Sequence, residues 1–211
     1  MSGDEAGTRR RIGVFGGSFD PPHAGHLHAA RAAREAFGLD EVRFVPAARP
    51  PHKPGRRLAE GPHRVALLEL LVEGEPEFRV DDRELDRPGP SFTVDTLREL
   101  AAETGAELYL ILGTDNLPGL PDWREVGALL ELAQPVVVHR EGDPEALLGP
   151  ARERLAPELV ERLRVGLLAL PPVEASSTAV RRALGAGAEA GEEVPERLRD
   201  YLRAHGLYGA N

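Results

Sequence analysis

Hydrophobic and polar positions repeat along this chain with two different periods. Short apolar runs predict six strands, and stretches with an apolar residue every three or four positions predict helices between them. The predicted strands are Arg11–Phe15, Glu41–Pro46, Phe78–Val80, Glu107–Leu112, Pro135–His139 and Arg164–Ala169. The predicted helices are Ala24–Phe37, Arg64–Glu73, Thr93–Thr104, Val126–Ala133, Pro144–Leu163 (which Pro157 can interrupt), Thr178–Leu184 and Pro195–His205.

The order of these elements indicates the fold class. Strands and helices alternate, so we expect an α/β fold with a Rossmann-like, doubly wound, mostly parallel sheet and helices on both faces. The continuous apolar runs Leu108–Leu112 and Val136–Val138 fit strands that are buried on both faces. We expect residues 11–211 to form one domain with a small C-terminal helical part, and residues 1–10 to form a flexible extension. Ligands of such sheets bind at the carboxyl ends of the strands.

Composition narrows the classes of partner. The formal net charge of −9 argues against nucleic acid, whose phosphates require a basic face. The 211 residues include no cysteine, and no apolar run approaches the length of about 18 residues that crosses a membrane. We therefore expect no membrane partner and a cytoplasmic location, where thiols would stay reduced. The sequence is compatible with a homo-oligomer as well as with a monomer.

Residues 12–28 carry the most chemistry. An apolar run ends at Gly16-Gly17, a loop with Ser18 follows, and His23 and His26 lie where a helix begins. N–H groups at a helix start bind phosphate, and residues three apart lie on one side of a helical turn. We therefore expect a phosphate-binding turn with paired imidazole donors. The motif is neither the Gly-x-Gly-x-x-Gly fingerprint nor a P-loop, and two glycines after a strand can also be an ordinary tight turn.

A second polar segment comes late in the chain. Residues 176–181 read Ser-Ser-Thr-Ala-Val-Arg at the start of a predicted helix. Ser176 or Ser177 can cap that helix, its free N–H groups would face an anion, and Arg181 lies about one turn further on. Alone, such a start is usually only a helix cap.

Together, the two segments resemble the signatures of the nucleotidyltransferase superfamily that carries a His-x-Gly-His element, whose members transfer AMP or CMP to a phosphate-bearing acceptor. The rest of the chain resembles one branch, the bacterial nicotinate-nucleotide adenylyltransferase family. Its reaction joins AMP from ATP to nicotinate mononucleotide, giving deamido-NAD and pyrophosphate in NAD biosynthesis. The segments that carry this likeness are Pro50–Lys53, Asp82–Arg87, Pro90–Leu97, Leu112–Leu117, Asp122–Trp123, Val136–Gly142 and Val194–Tyr208.

The resemblance implies roles for particular residues. The catalytic positions that it implies are Ser18, His23, His26 and Arg181. The ATP-binding positions are Gly16, Gly17, Ser18, Phe19, His23, His26, Gly113, Asp115, Arg140, Ser176, Thr178 and Arg181. The positions for nicotinate mononucleotide are His52, Lys53, Phe92, Thr93 and Trp123, with backbone amides near Phe92, Thr93 and Pro121–Trp123 receiving the nicotinate carboxylate. The implied cofactor is Mg²⁺ bound with ATP, and no side chain is assigned to a metal.

Three alternatives stay open at this point. The first is the same reaction on another acceptor, such as nicotinamide mononucleotide or phosphopantetheine. The second is a nucleotide-binding module without catalysis, which would lack at least one of His23, His26 and Arg181, and all three are present. The third is a scaffold protein with a Rossmann-like fold. Since a fold alone does not fix function, the site residues carry the argument.

Overall fold

The computed structural model describes residues 9–50, 58–139, 142–171 and 175–209. The strands in this part of the chain are β1 (Arg11–Gly17), β2 (Glu41–Pro46), β3 (Phe78–Val80), β4 (Glu107–Gly113), β5 (Ala133–His139) and β6 (Leu167–Ala169). The helices are α1 (Ala24–Phe37), α2 (Gly61–Val72), α3 (Arg83–Asp86), α4 (Thr93–Thr104), α5 (Val126–Leu132), α6 (Pro144–Leu147), α7 (Gly149–Arg152), α8 (Pro157–Val165), α9 (Ser177–Gly185) and α10 (Glu196–Ala204). Short 3₁₀ turns span Thr114–Asn116 and Leu120–Asp122.

The six strands form one parallel sheet in the order β3-β2-β1-β4-β5-β6. All five neighbouring pairs are parallel, which confirms the predicted doubly wound α/β fold. The strand order reverses between β1 and β4, where Phe15 lies opposite Ile111. The carboxyl ends of these two strands, at Gly17 and Gly113, therefore flank the crevice where ligands bind in this architecture.

Two apolar layers cover the sheet. On one face, Phe44 of β2 packs in a cluster with residues of α1, α2, α9 and α10, including the fully buried Leu67 and Leu198. On the other face, Leu110 of β4 shares a cluster with α4, α5 and α8, including Leu97. Helices therefore cover both faces, as the continuous apolar runs in the central strands predict.

The region from residue 142 to 169 differs from the sequence-based prediction. The helix predicted over Pro144–Leu163 consists of three short helices, α6, α7 and α8, each with a proline in its first turn, where the missing N–H is tolerated. The strand predicted over Arg164–Ala169 begins only at Leu167, because α8 continues to Val165. Gly166 makes the turn, and a Cβ atom there would come within 1.8 Å of the Pro135 carbonyl oxygen.

Elsewhere the predicted bounds hold more closely. Helices α1 and α4 match their predictions, and both end at glycines in the left-handed conformation, Gly38 (φ 59°) and Gly105 (φ 62°). The one-turn helix α3 and the two 3₁₀ turns were not predicted. In the described ranges, no helix is both long and apolar enough to cross a membrane.

The predicted N-terminal extension falls mainly on residues 1–8, which lie outside the described residues. Arg10, which we included in it, contacts the sheet, since its guanidinium donates to Glu41 at 2.6 Å and its carbonyl oxygen accepts from the Glu107 N–H at 2.9 Å.

Candidate active site

The turn after β1 is shaped by a buried aromatic side chain. Phe19 has a left-handed backbone (φ 45°) and is only 2% exposed. Its ring packs against Phe15 and Phe44, with centroids 5.7 and 5.9 Å away. A Cβ atom at Gly17 would lie 3.0 Å from this ring, so glycine lets the backbone turn closely around it. Phe19 therefore forms the base of the turn, and its place in the ATP site stays a prediction.

Two imidazoles follow at the start of α1. His23 is the N-cap residue and is buried, and its backbone N–H donates to His26 Nδ1 at 3.2 Å. The two rings lie 3.9 Å apart. Because Nδ1 of His26 accepts a hydrogen bond, the proton of its neutral ring is on Nε2. The fold thus fixes the tautomer of His26 and leaves Nε2 as its donor.

The late polar segment meets this turn. The Ser177 hydroxyl donates to the Pro21 carbonyl oxygen at 2.8 Å, and the Arg181 guanidinium donates to the Asp20 carbonyl oxygen. Arg181 also donates to Thr178 Oγ1 at 3.1 Å. These contacts join residues 156 and 161 positions apart in the chain. The two motifs, with the N-termini of α1 and α9, therefore meet at one corner, where the Arg181 guanidinium also lies 3.9 Å from the Asp20 carboxylate.

Ser176 caps α9 as the sequence predicts. Its backbone is extended, and its Oγ accepts a hydrogen bond from the Ala179 N–H at 3.4 Å. The residue is exposed. Capping satisfies one N–H of the first turn and leaves the others of that turn without an intrahelical partner.

A buried polar network braces the turn from behind. Asp20 is 1% exposed, and its Oδ1 accepts from the Ala59 N–H at 3.0 Å and from the Tyr208 hydroxyl at 2.7 Å. Arg64, 2% exposed, donates to the carbonyl oxygens of Ser18 and Ala59, each at 2.9 Å. Burial, together with the Asp20 carboxylate, raises the pKa of the Tyr208 phenol far above its ordinary value. The phenol therefore keeps its proton and donates a hydrogen bond to Asp20.

Sequence reasoning missed Arg64 and Tyr208 as parts of this site. One signal was available for Arg64, because it shares the apolar face of α2 with the buried Leu67, Leu68 and Leu71. A charged residue on the buried face of a helix has to find partners there. Nothing in the spacing of Tyr208 indicates that it reaches Asp20.

A cavity of about 110 Å³ opens beside the glycine turn. It brings together Gly16, Gly17 and Ser18 with three of the residues predicted for the mononucleotide, Phe92, Thr93 and Trp123. Arg124 lies over the Phe92 ring, 4.7 Å from its centroid. The remaining lining comes from the segment after β2, from α3 and the residue before the α4 cap, from β4 and the turn after it, and from α5 and the segment before it, and comprises Ala47, Pro50, Glu84, Ser91, Leu110, Ile111, Leu112, Asn116, Arg124 and Leu129.

The start of α4 supplies amide donors to this cavity. Phe92 is the N-cap residue and Thr93 the first helical residue, and the first N–H groups of a helix have no intrahelical partner. That backbone amides near Pro121–Trp123 receive the nicotinate carboxylate stays a prediction. The N–H groups of Asp122 and Trp123 donate to the carbonyl oxygens of Gly119 and Leu120, at 3.0 Å each, and so close a 3₁₀ turn.

Across the strand-order reversal, β4 ends at Gly113. Asp115 follows in a 3₁₀ turn and is exposed. The Asn116 amide donates to the Gly113 carbonyl oxygen and to Asp115 Oδ1, both at 3.2 Å, which holds the turn. These residues lie at the carboxyl edge of the sheet, as predicted. Three further predicted site residues, His52, Lys53 and Arg140, lie outside the described residues.

Comparison with known proteins agrees with this geometry. The family model described as cytidylyltransferase-like matches residues 14–183, a range that holds both joined motifs. The fold and the site therefore define a nucleotidyltransferase. Two relatives share 43% and 41% of their residues with this chain, and each alignment covers 93% of the chain and 97% of the relative. They are the probable nicotinate-nucleotide adenylyltransferases of Roseiflexus sp. (strain RS-1) and Salinibacter ruber. The chain belongs to the nicotinate-nucleotide adenylyltransferase family.

Solved structures show the same fold at lower sequence identity. Nicotinic acid mononucleotide adenylyltransferase of Plasmodium falciparum, complexed with APC, superimposes with a TM-score of 0.73 at 18% identity, covering 96% of this chain and 98% of that one. The complex of the same enzyme with NaAD gives a TM-score of 0.72 with the same coverage.

Proposed function

We propose that this chain transfers AMP from ATP to nicotinate mononucleotide, forming deamido-NAD and pyrophosphate, in NAD biosynthesis. The observation that carries the proposal is the contact of the Ser177–Arg181 segment with the Asp20–Pro21 backbone, directly beside the cavity that holds Trp123. One corner collects cationic and N–H donors suited to a polyphosphate, and the adjoining cavity offers an aromatic ring and the start of a helix. A two-substrate reaction between a nucleotide and an aromatic mononucleotide needs both.

The triphosphate would bind at the corner between α1 and α9. We assign the phosphate oxygens to His23, His26, Thr178 and Arg181 together with the amides of Gly16, Gly17, Ser18 and the α9 start after Ser176. His26 would donate to a phosphate oxygen through Nε2, since its Nδ1 accepts from the His23 N–H. Gly113 and Asp115, at the end of β4, would hold the ribose hydroxyls, with Arg140 nearby as the family resemblance implies.

The acceptor would bind in the cavity beside the turn. Trp123 would stack on the pyridine ring, which is electron-poor and suits an indole face. The N–H groups at the start of α4, at Thr93, would receive the nicotinate carboxylate, because a helix N-terminus favours an anion. His52 and Lys53 would approach the mononucleotide phosphate.

The reaction then requires alignment more than acid–base chemistry. The acceptor phosphate is largely dianionic at neutral pH, since its second pKa is about 6, so no general base has to activate it. One of its oxygens attacks the α-phosphorus of ATP in line. That P–O bond forms as the bond to the β-phosphate oxygen breaks, and the bonding electrons leave with pyrophosphate. His26, His23, Ser18 and Arg181 stabilise the charge that develops on the α-phosphoryl and pyrophosphate oxygens.

A divalent cation accompanies ATP in nucleotidyltransferases, and we propose Mg²⁺. In the described part of the chain, no group of three or more His, Asp or Glu side chains forms a metal cage. The donor set at the corner suits phosphate oxygens, which is the way Mg²⁺ is commonly held, through substrate phosphates and its own waters. When bound, the ion would neutralise triphosphate charge. The predicted cytoplasmic location and the oligomeric state stay predictions.

Parallel assays with one acceptor at a time test the proposed function. Pyrophosphate release is measured with ATP and Mg²⁺ plus nicotinate mononucleotide, nicotinamide mononucleotide or phosphopantetheine. We expect kcat/KM for the nicotinate compound to exceed that for the amide by about 10²-fold, because an amide NH₂ would face N–H donors. A higher kcat/KM with another acceptor would reassign the substrate, and no turnover with any acceptor would support a nucleotide-binding module instead.

A further inference from the structure

A buried carboxylate lines the acceptor cavity but has no part in the reaction proposed above. Glu84 of α3 is only 6% exposed. Two hydroxyl groups bind it: Thr96 Oγ1 donates to its Oε1 at 2.6 Å, and the Ser91 side chain also forms a hydrogen bond with it. Burial raises the pKa of Glu84, although these hydrogen bonds favour its charged form. Burying a carboxyl group this deeply costs free energy of folding unless hydrogen-bond partners are held in place around it.

Ser91 joins this carboxylate to the segment that follows β2. Its Oγ accepts hydrogen bonds from the N–H groups of Ala48 at 3.0 Å and Arg49 at 3.2 Å. Its own N–H donates to the Arg49 carbonyl oxygen at 3.1 Å. A hydroxyl offers two acceptor lone pairs and one proton. Both lone pairs of Ser91 are taken by N–H donors, so its proton goes to Glu84.

The second hydroxyl is directed in the same way. Arg87 Nη1 donates to Thr96 Oγ1 at 3.1 Å, and a guanidinium only donates, so the Thr96 proton also goes to Glu84. Glu84 therefore has to accept twice. A carboxylate can do this with either oxygen, whereas a glutamine amide offers one acceptor oxygen and two N–H donors.

The fastened segments are the walls of the cavity. Ala47 and Pro50, which line it, flank the two amides that Ser91 holds. Phe92 and Thr93, which line it on the other side, directly follow Ser91. We propose that Glu84 is a positioning residue for the acceptor: by holding Ser91, it fixes both walls of the cavity in which the acceptor binds.

This inference rests on the proposed function, and it predicts different effects on the KM values of the two substrates. The corner assigned to ATP is braced by Asp20, Arg64 and Tyr208, a different network from that of Glu84. Loosening Ser91 should therefore raise KM for the acceptor and leave KM for ATP unchanged. A loss of general stability would affect both substrates alike.

The test compares E84Q and S91A with a matched control, E77Q. Glu77 precedes β3 and pairs with Arg34 at 2.8 Å, but it is partly exposed, does not line the cavity and, in the described part of the chain, forms no hydrogen bond with the Glu84 network. Steady-state kinetics with each substrate varied, and the thermal midpoint, are measured on the full chain. We expect KM for nicotinate mononucleotide to rise about tenfold in E84Q and S91A, with KM for ATP within about twofold of the wild-type value, and no change in E77Q.

Three results would overturn the inference: an unchanged acceptor KM, a parallel rise in both KM values, or an equal rise in E77Q. If E84Q does not fold, S91A decides by the same criteria, since it removes only a hydroxyl. If the wild type uses another acceptor, the proposed function fails, and the role of Glu84 is judged on KM for that acceptor. Absence of turnover with every acceptor would overturn both.

Discussion

Glu41 and Glu84 are both buried, at opposite edges of the sheet, and they differ in the kind of side chain that binds them. At the amino end of β2, Glu41 is 2% exposed and accepts hydrogen bonds from Arg10, Arg43 and Arg79 at 2.6, 2.6 and 3.1 Å. At the carboxyl end, Glu84 has hydroxyl partners, with Arg87 one bond further away. Burial opposes the charge of both groups, yet the arginines lower the pKa of Glu41 while the pKa of Glu84 is raised.

The difference separates what stabilises this fold from what shapes its site. Arginine pairing at the amino end fixes a carboxylate whose loss would cost stability. At the carboxyl end, the hydroxyl groups of Ser91 and Thr96 orient the Glu84 carboxylate without neutralising its charge. Their contacts therefore fix where the neighbouring loops lie. Substitutions at the amino end should therefore lower the free energy of unfolding, and substitutions at the carboxyl end should mainly change the kinetic constants.

His26→Ala should have the largest effect, at the carboxyl end. Removing one preorganised donor to developing charge costs about 10²–10³ in turnover. We expect kcat to fall by at least this factor, while the circular dichroism spectrum stays that of the wild type. His28→Ala, two positions further along α1, is the matched control. A His26→Ala enzyme with near-wild-type kcat would remove His26 from the proposed mechanism.

Glu41→Gln should have the largest effect at the amino end, and on stability alone. Removing the charge weakens the bonds to three arginines, of which two are more than half exposed and the third, Arg43, keeps Asp81 as a partner. The substitution therefore costs about 1–2 kcal/mol in the free energy of unfolding. We expect urea unfolding at pH 7 to show this loss and kcat to stay unchanged. Glu107→Gln is the control, because that half-exposed strand residue pairs with Arg11 at 3.3 Å and accepts from the Tyr109 hydroxyl at 3.0 Å, a bond that an amide oxygen can keep.

The pH dependence of this loss sharpens the same prediction. Because folding lowers the pKa of Glu41 below its ordinary value of 4.5, its contribution is complete above that value. The advantage of wild type over Glu41→Gln should shrink as the pH falls through the lowered pKa. A difference in unfolding free energy that stayed constant from pH 7 to about pH 3 would contradict this assignment.

Trp123→Ala should have a smaller effect, on acceptor binding. Stacking of an aromatic side chain on a base contributes about 1–3 kcal/mol, and about 1.4 kcal/mol corresponds to a tenfold change in affinity. We expect KM for nicotinate mononucleotide to rise about 5- to 150-fold, with KM for ATP unchanged. Trp123→Phe, which keeps a ring, should recover part of the loss. An equal rise in KM for ATP would mean that Trp123 does not act on the acceptor alone.

Tyr208→Phe should have the smallest effect, and in both assays. It removes one donor to the buried Asp20 carboxylate, which keeps the Ala59 N–H. Losing such a hydrogen bond costs about 1 kcal/mol in unfolding free energy, and we expect a few-fold fall in kcat as the turn loosens. Tyr201→Phe is the control, since the hydrogen-bond partner of that phenol is His63, at 3.0 Å, and not Asp20. Equal effects of the two variants would separate Tyr208 from the site.

The sequence predicted elements well where local chemistry sets their ends. Gly38 and Gly105 end α1 and α4 where a left-handed residue is required. The prediction failed around Gly166, because a neighbouring carbonyl on β5, far away in sequence, decides where α8 stops and β6 starts. Local periodicity carries no information about that contact.

The residues of the site also differ in whether the sequence could predict them. The residues with recognisable motifs, such as His26 and Arg181, were predicted, whereas their supports were not. Arg64, Glu84 and Tyr208 act through partners that only the folded chain brings near, such as Ser18 and Asp20. A motif records which groups meet a ligand, and the groups that hold them in place have no fixed spacing in sequence.

The hydrogen bond between Tyr208 and Asp20 also affects the order in which the turn gains its supports during synthesis of the chain. It spans 188 positions, so a nascent polypeptide that has not yet reached residue 208 has no phenol to place against that carboxylate. The ribosome delivers the glycine turn first, and Ala59 and Arg64 can brace it before Tyr208 has been made. The phenol therefore completes a network whose other members are synthesised earlier.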